Sequence, residues 1–161
     1  MTTASFNVRA IANTSLPSYT ASSPTTGITV GSNAAALGGG YAFNPGSVSY
    51  LLTANANGAL TVDGVSVAAN DVVLVTQSAV AAGTDAGLFR VYSPGSATTP
   101  WLLASLFQNG AQGQLLSGSL ICAGGEGSAL HNAVWQLDTT TTWPIIVGTT
   151  VQTFRSVVAA G

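Results

Sequence analysis

The stretch from Leu60 to Val75 reads LTVDGVSVAANDVVLV, and its reading decides the fold. Two short runs rich in β-branched residues, Leu60-Thr61-Val62 and Val65-Ser66-Val67, flank Asp63-Gly64. Asp-Gly in that setting signals a two-residue type I′ hairpin, because both central positions of that turn need positive φ. Ala68-Ala69-Asn70-Asp71 supplies a second turn, and Val72-Val73-Leu74-Val75 follows without alternation. An unbroken apolar run of this length suits a strand covered on both faces.

Downstream, Ser78 to Ala86 is alanine-rich but lacks helical periodicity, so it is expected to be a loop with one helical turn. Gly87 to Tyr92 reads as a strand, Ser93-Pro94-Gly95-Ser96 as a turn, and Trp101 to Ala104 as a further strand closed by Phe107 to Gly110. Leu115 to Cys122 reads as a strand, or as a strand bulged around Gly118. Ala133 to Leu137 alternates, with Trp135 and Leu137 on one face. Thr139 to Thr142 form a linker or a stiff edge, and Ile145-Ile146-Val147 precedes Gly148. Val151 to Val157 alternates with period two.

Upstream, Ser5 to Ile11 has a strand pattern, and residues 12–27, with Pro17 and Pro24, read as a loop or as an arm ordered on a partner. Ile28-Thr29-Val30 is a short strand candidate. Gly38-Gly39-Gly40 denies a regular element to its segment, where Tyr41 and Phe43 follow as anchors for a loop or as core residues. Val48 to Leu52 reads as a strand and Asn55 to Gly58 as a turn. The sum is an all-β, single-domain antiparallel sandwich or barrel of about ten short strands. Residues 1–27 are expected to form an N-terminal strand and arm, and residues 28–161 the β-domain.

Composition bounds the function. Only 5% of the 161 residues are charged, against roughly 25% in an average domain. There is no lysine; the charged side chains are Arg9, Arg90, Arg155, Asp63, Asp71, Asp85, Glu126 and Asp138. A monomer with so little charge relies on hydroxyls and amides for solubility, whereas an assembly hides such surface, since contact cores are depleted in charge. No basic cluster offers a footprint for a phosphate backbone, and no apolar run reaches the ~20 residues that span a bilayer. Met1 to Val8 is polar and carries no signal-peptide pattern. The single cysteine, Cys122, lies in the apolar run Leu120-Ile121-Cys122-Ala123 and reads as a small core residue.

No catalytic, cofactor or metal residues emerge. One histidine, His131, cannot build a zinc site alone. Ser128 lies three residues away, but neither it nor Gly118-Ser119 makes a nucleophile elbow. Asp63, Asp71 and Asp85 each sit at a separate turn, where local backbone hydrogen bonds account for an aspartate. Gly38-Gly39-Gly40 and Gly124-Gly125-Glu126-Gly127 lack the following Lys-Ser/Thr of a phosphate loop. Trp101, Trp135 and Trp143 lie on separate segments and read as core more readily than as a carbohydrate platform.

The central block resembles a module of tailed-bacteriophage virion proteins. That module has the form T-V/I-D-G-V-x-L-A-x-G-D-R-V-L-V, then N-G-I-Y-x-V, then a Trp-containing strand, G-x-x-V-F-V-x-x-G, a second Trp-containing strand and T-x-x-F. The counterparts here are Leu60 to Val75, Ala86 to Val91, Trp101-Leu102-Leu103, Gly118 to Gly124, Val134 to Leu137 and Val151 to Phe154. The usual Gly-Asp-Arg is Asn70-Asp71-Val72, the usual Lys is Thr76, and residues 31–58 stand as an insertion. The resemblance implies a virion structural protein on the outer surface of the particle, made in the host cytoplasm, that is no enzyme and takes no cofactor. Within that class, the shortness of the chain, the near-absence of charge and the N-terminal arm point to a capsid decoration (cement) protein, expected to be a homotrimer that binds the major capsid protein, with no nucleic acid or membrane partner. The alternative is a tail-fibre, minor tail or baseplate-associated protein that takes part in host attachment.

Overall fold

Asp63 and Gly64 adopt φ of 48° and 77° in the computed structural model, the paired positive angles of a type I′ turn. They join β5 (Thr61–Val62) to β6 (Val65–Ser66), with Thr61 opposite Ser66 and Val62 opposite Val65. Leu60, Val62, Val65 and Val67 are buried, so the hairpin lays one face on the core. The structure describes residues 5–24, 26–28, 48–108, 119–138 and 148–159.

The hairpin leads into β7 (Val72–Val75), all four residues of which are buried, as an unalternating run requires. β7 pairs antiparallel with β8 (Gly87–Ser93), which pairs with β9 (Pro100–Gln108). Between β7 and β8 lies the expected loop, with one 3-10 turn at Gly83–Asp85. β9 continues through Phe107 and Gln108, where a closing turn was expected, because β4 (Ser49–Asn57) pairs along it as far as Ser49 opposite Gln108. A register shift between Ser49 and Leu51 is satisfied by hydroxyls: Ser49 Oγ donates to the Ser105 carbonyl, and Ser105 Oγ accepts from the Tyr50 amide, both at 2.9 Å.

Two N-terminal strands complete the layers. Ser5 to Ile11 was expected to be one strand; it is two, β1 (Ser5–Val8) and β2 (Ala10–Ala12), in different sheets. β1 pairs parallel with β10 (Leu120–Ala123), and β2 pairs parallel with β7. The chain changes sheet at Arg9: the Val8 carbonyl accepts from the Gly124 amide at 3.0 Å, and the Arg9 amide donates to the Val72 carbonyl at 2.8 Å. The sheets are therefore not purely antiparallel. Parallel pairing is possible here because long connections, not tight turns, join the partners.

The larger sheet has the order β2-β7-β8-β9-β4-β3, with β3 (Tyr19–Ser22) formed inside a stretch expected to be a loop. The smaller has the order β1-β10-β11-β12, with β11 (Val134–Leu137) and β12 (Phe154–Val158). Ser49–Asn57, within the stretch expected as an insertion, forms β4 between β9 and β3. Buried residues of both sheets and the hairpin join one hydrophobic cluster, with Phe6, Trp101, Phe89 and Phe154 among its largest members. The alternation expected over Val151 to Val157 fails in β12. Gln152 and Phe154 are buried, but Arg155 to Val158 are exposed, β12 being the last strand of its sheet among the described residues. The expectations for Thr29-Val30, residues 31–47, Leu115 to Gly118, Thr139 to Thr142, Trp143 and Ile145 to Val147 lie outside the described residues.

Candidate functional site

Several charged side chains in this fold tie together segments distant in sequence. At the sheet crossing, Arg9 Nη1 meets Asp71 Oδ2 at 2.7 Å and Arg9 Nε meets Glu126 Oε2 at 2.9 Å. Asp71 precedes β7 and Glu126 follows β10, so one guanidinium ties the entry of one sheet to the exit of the other. The bonds to Glu126 and then Asp71 raise the Arg9 pKa above its ordinary value. Asp71 Oδ2 also accepts from the Ala68 amide at 2.8 Å, the local turn bond expected of it.

Asp63 does something its turn position did not reveal. Its carboxylate leaves the hairpin and accepts the Ala129 amide on Oδ1 at 2.9 Å and the Leu130 amide on Oδ2 at 2.8 Å. Its carbonyl accepts from the Ser128 amide at 2.9 Å. The β10–β11 loop therefore folds around one side chain. A side chain at Gly127 would overlap Asp63 Oδ2, which is held on the loop amides, so close approach favours glycine there; at Gly64 the φ of 77° does so.

Asp85, at the end of the 3-10 turn, is only 5% exposed. Tyr19 from β3 donates to its Oδ2 at 2.8 Å, and Tyr50 from β4 to its Oδ1 at 2.5 Å. Tyr19 Oη in turn accepts from the Ala81 amide at 2.9 Å. Burial pushes the Tyr19 phenol up to about 12; the Asp85 carboxylate adds to that, against the lowering bond from Ala81. Burial and then Asp85 also raise Tyr50. Beside this cluster a cleft of about 210 Å³ opens between residues 15–19 and 79–81, with Tyr19 in its wall.

Among the described residues, no two of Asp63, Asp71 and Asp85 share a hydrogen-bond partner. Among the described residues, no three His, Cys, Asp or Glu side chains gather where a metal ion could sit. His131 and Ser128 lie in the loop that Asp63 organises. Trp101 and Trp135 are buried, as core residues are. Cys122 differs from expectation: it is half-buried and free, because Ile121 takes the inward position of β10 and Cys122 the outward one. Thr76, standing where the resembling module has lysine, is fully buried, its hydroxyl 2.7 Å from Asn13 Oδ1 and 3.2 Å from the Ala12 carbonyl.

Arg9, Tyr19, Tyr50 and Gln77 carry contacts that the sequence did not single out. Their partners lie 35 to 117 residues away, and no local pattern marks them. No family model, curated protein or solved structure matches the chain.

Proposed function

We propose that the chain is a structural component of a tailed-phage virion, and specifically a decoration protein that binds the assembled head. What carries the reading is where the charge goes. Of the eight charged side chains, Arg9, Asp71 and Glu126 clamp the two sheets, Asp63 holds a loop, and Asp85 holds two tyrosines. Charge is sparse over the whole chain, at 5% of residues, and five of the eight charged side chains are engaged in these contacts. A surface of this kind suits dense packing against neighbouring subunits, whose contact cores exclude charge.

The ordered likeness of Leu60 to Phe154 to the virion module supports the virion part of this reading, which head and tail proteins share. Its segments here are the scaffold strands β5 to β11 and the start of β12. A homotrimer seated at capsid three-fold positions fits the closed symmetry usual in homo-oligomers. Binding only to assembled coat protein would stabilise the head by mass action.

Purified protein added to undecorated heads tests this. Saturable binding at hundreds of copies per particle, with a raised temperature of head disruption, is the expected result. Attachment of a few copies at the tail tip would overturn the decoration reading and leave a tail-associated role in its place.

A further inference from the structure

We infer that the cleft between the β2–β3 connection and the β7–β8 loop binds a single neutral sugar residue. One wall is Ser15, Leu16, Ser18 and Tyr19; the other is the backbone and small side chains of residues 79–81. The walls are tied together: the Leu16 amide donates to the Ala79 carbonyl at 2.9 Å, and the Ala81 amide donates to Tyr19 Oη at 2.9 Å. The cleft is therefore built by hydrogen bonds between two segments rather than left by a chance gap.

Tyr19 is oriented before any ligand arrives. Its hydroxyl is fixed on the buried Asp85 carboxylate, whose other oxygen is occupied by Tyr50. An aromatic ring locked in this way loses little conformational freedom on binding. Ser18 Oγ accepts from Asn55 Nδ2 at 2.7 Å, which leaves its own hydrogen to donate. Ser15 adds a second, exposed hydroxyl.

The lining selects the ligand class. It holds no charged side chain, so an ionic ligand would lose water without gaining a counter-charge. A purely aliphatic ligand would cover the serine hydroxyls without bonding them, which is also costly. A pyranose satisfies both: its C–H face meets Tyr19, Leu16 and Val80, and its hydroxyls meet Ser15 and Ser18. At about 210 Å³ the cleft lies below the ~300 Å³ lower range of drug-sized sites, which limits the occupant to about one ring. This inference does not rest on the decoration reading; a sugar site is compatible with either position on a particle.

The test is a chemical-shift titration of the isotopically labelled full chain. The probes are glucose, galactose and N-acetylglucosamine, with sialic acid as the charged comparison. Saturable shifts at residues 15–19 and 79–81 are expected for at least one neutral sugar, with a dissociation constant of about 1 mM. Ser15→Trp, at an exposed position, should fill the cleft mouth and weaken binding by about tenfold. Ser18→Ala should weaken it several-fold and, because it also removes the acceptor of Asn55 Nδ2, lower Tm slightly, whereas Ser15→Trp should keep the parent's Tm. The inference is overturned if no neutral sugar shifts those residues saturably, if sialic acid binds more tightly than every neutral sugar, or if Ser15→Trp binds as the parent does. Head binding is read separately, so failure of either idea leaves the other standing.

Discussion

The Gln77 carboxamide pairs with the Phe154 backbone as a neighbouring strand would: Nε2 donates to the Phe154 carbonyl at 3.1 Å, and Oε1 accepts the Phe154 amide at 3.0 Å. One side chain from the end of β7 thereby fixes the start of β12, and with it the inward position of Phe154. Gln77→Ala should leave both backbone groups without this partner and lower stability by about 1–3 kcal/mol. Gln77→Glu keeps an acceptor for the amide but turns a carboxylate oxygen on the Phe154 carbonyl, so it should be no milder than alanine. Denaturant unfolding of the two variants measures this, and a glutamate variant as stable as the parent would refute the paired geometry.

Asp85 holds Tyr19 and Tyr50 through both of its oxygens. Asp85→Ala should strand two phenols and cost about 3 kcal/mol or more, since each unmet buried group costs ~1–3 kcal/mol. The cluster also sets an alkaline limit. In the unfolded chain these phenols ionise near pH 10, whereas Tyr19 in the folded chain ionises at about 12 and Tyr50 is raised as well. From about pH 10 the unfolded chain holds fewer protons than the folded one, so stability falls with rising pH. The contribution is whole below about 10 and is lost as pH rises through about 12. Tyr19→Phe and Tyr50→Phe should each flatten that decline in a series of melts across alkaline pH; a decline as steep in the double variant would place its origin elsewhere.

Residues with local demands were legible in the sequence. Asp63-Gly64 announces positive φ at two adjacent positions, and Val72 to Val75 announces burial on two faces; the structure has both. Asn55 to Asn57 misled because Asn and Gly favour turns, yet long-range partners outweigh that preference. The Asn55 amide and Nδ2 donate to the carbonyl and hydroxyl of Ser18, which keeps the segment in β4. In β12, alternation described a strand but could not say where its cover ends, which is at Phe154. The anchors were illegible for a related reason. Each of Arg9, Asp63 and Asp85 meets partners distant in sequence, and one sequence read by itself offers no signal of such pairs.

Arg9 bridges Asp71 and Glu126 at the point where the chain changes sheets. Arg9→Met retains the aliphatic stem but removes both ion pairs, and it should lower Tm. Because the cluster is partly solvated, the deficit should shrink as salt approaches ~1 M, where the screening length is about 3 Å. Arg9→Lys should recover only part of the loss, since an ammonium lacks the fork that reaches two carboxylates. A deficit in Arg9→Met that is equal at low and high salt would assign the effect to packing of the stem.

The hairpin turn and the β10–β11 loop form one unit through Asp63, and each side of the contact can be broken without touching the core. Asp63→Asn keeps Oδ1 as an acceptor but points a donor at one of the two loop amides, Ala129 or Leu130, and should cost about 1–2 kcal/mol. Gly127→Ala attacks the same contact from the loop side, because its Cβ overlaps Asp63 Oδ2. If both act through this one contact, the double variant should be less destabilised than the sum of the singles by at least ~0.5 kcal/mol. Hydrogen exchange should show faster exchange of the Ala129 and Leu130 amides in each variant while β7 and β8 stay protected. Full additivity, with unchanged exchange at those two amides, would mean that the loop is held by something other than Asp63.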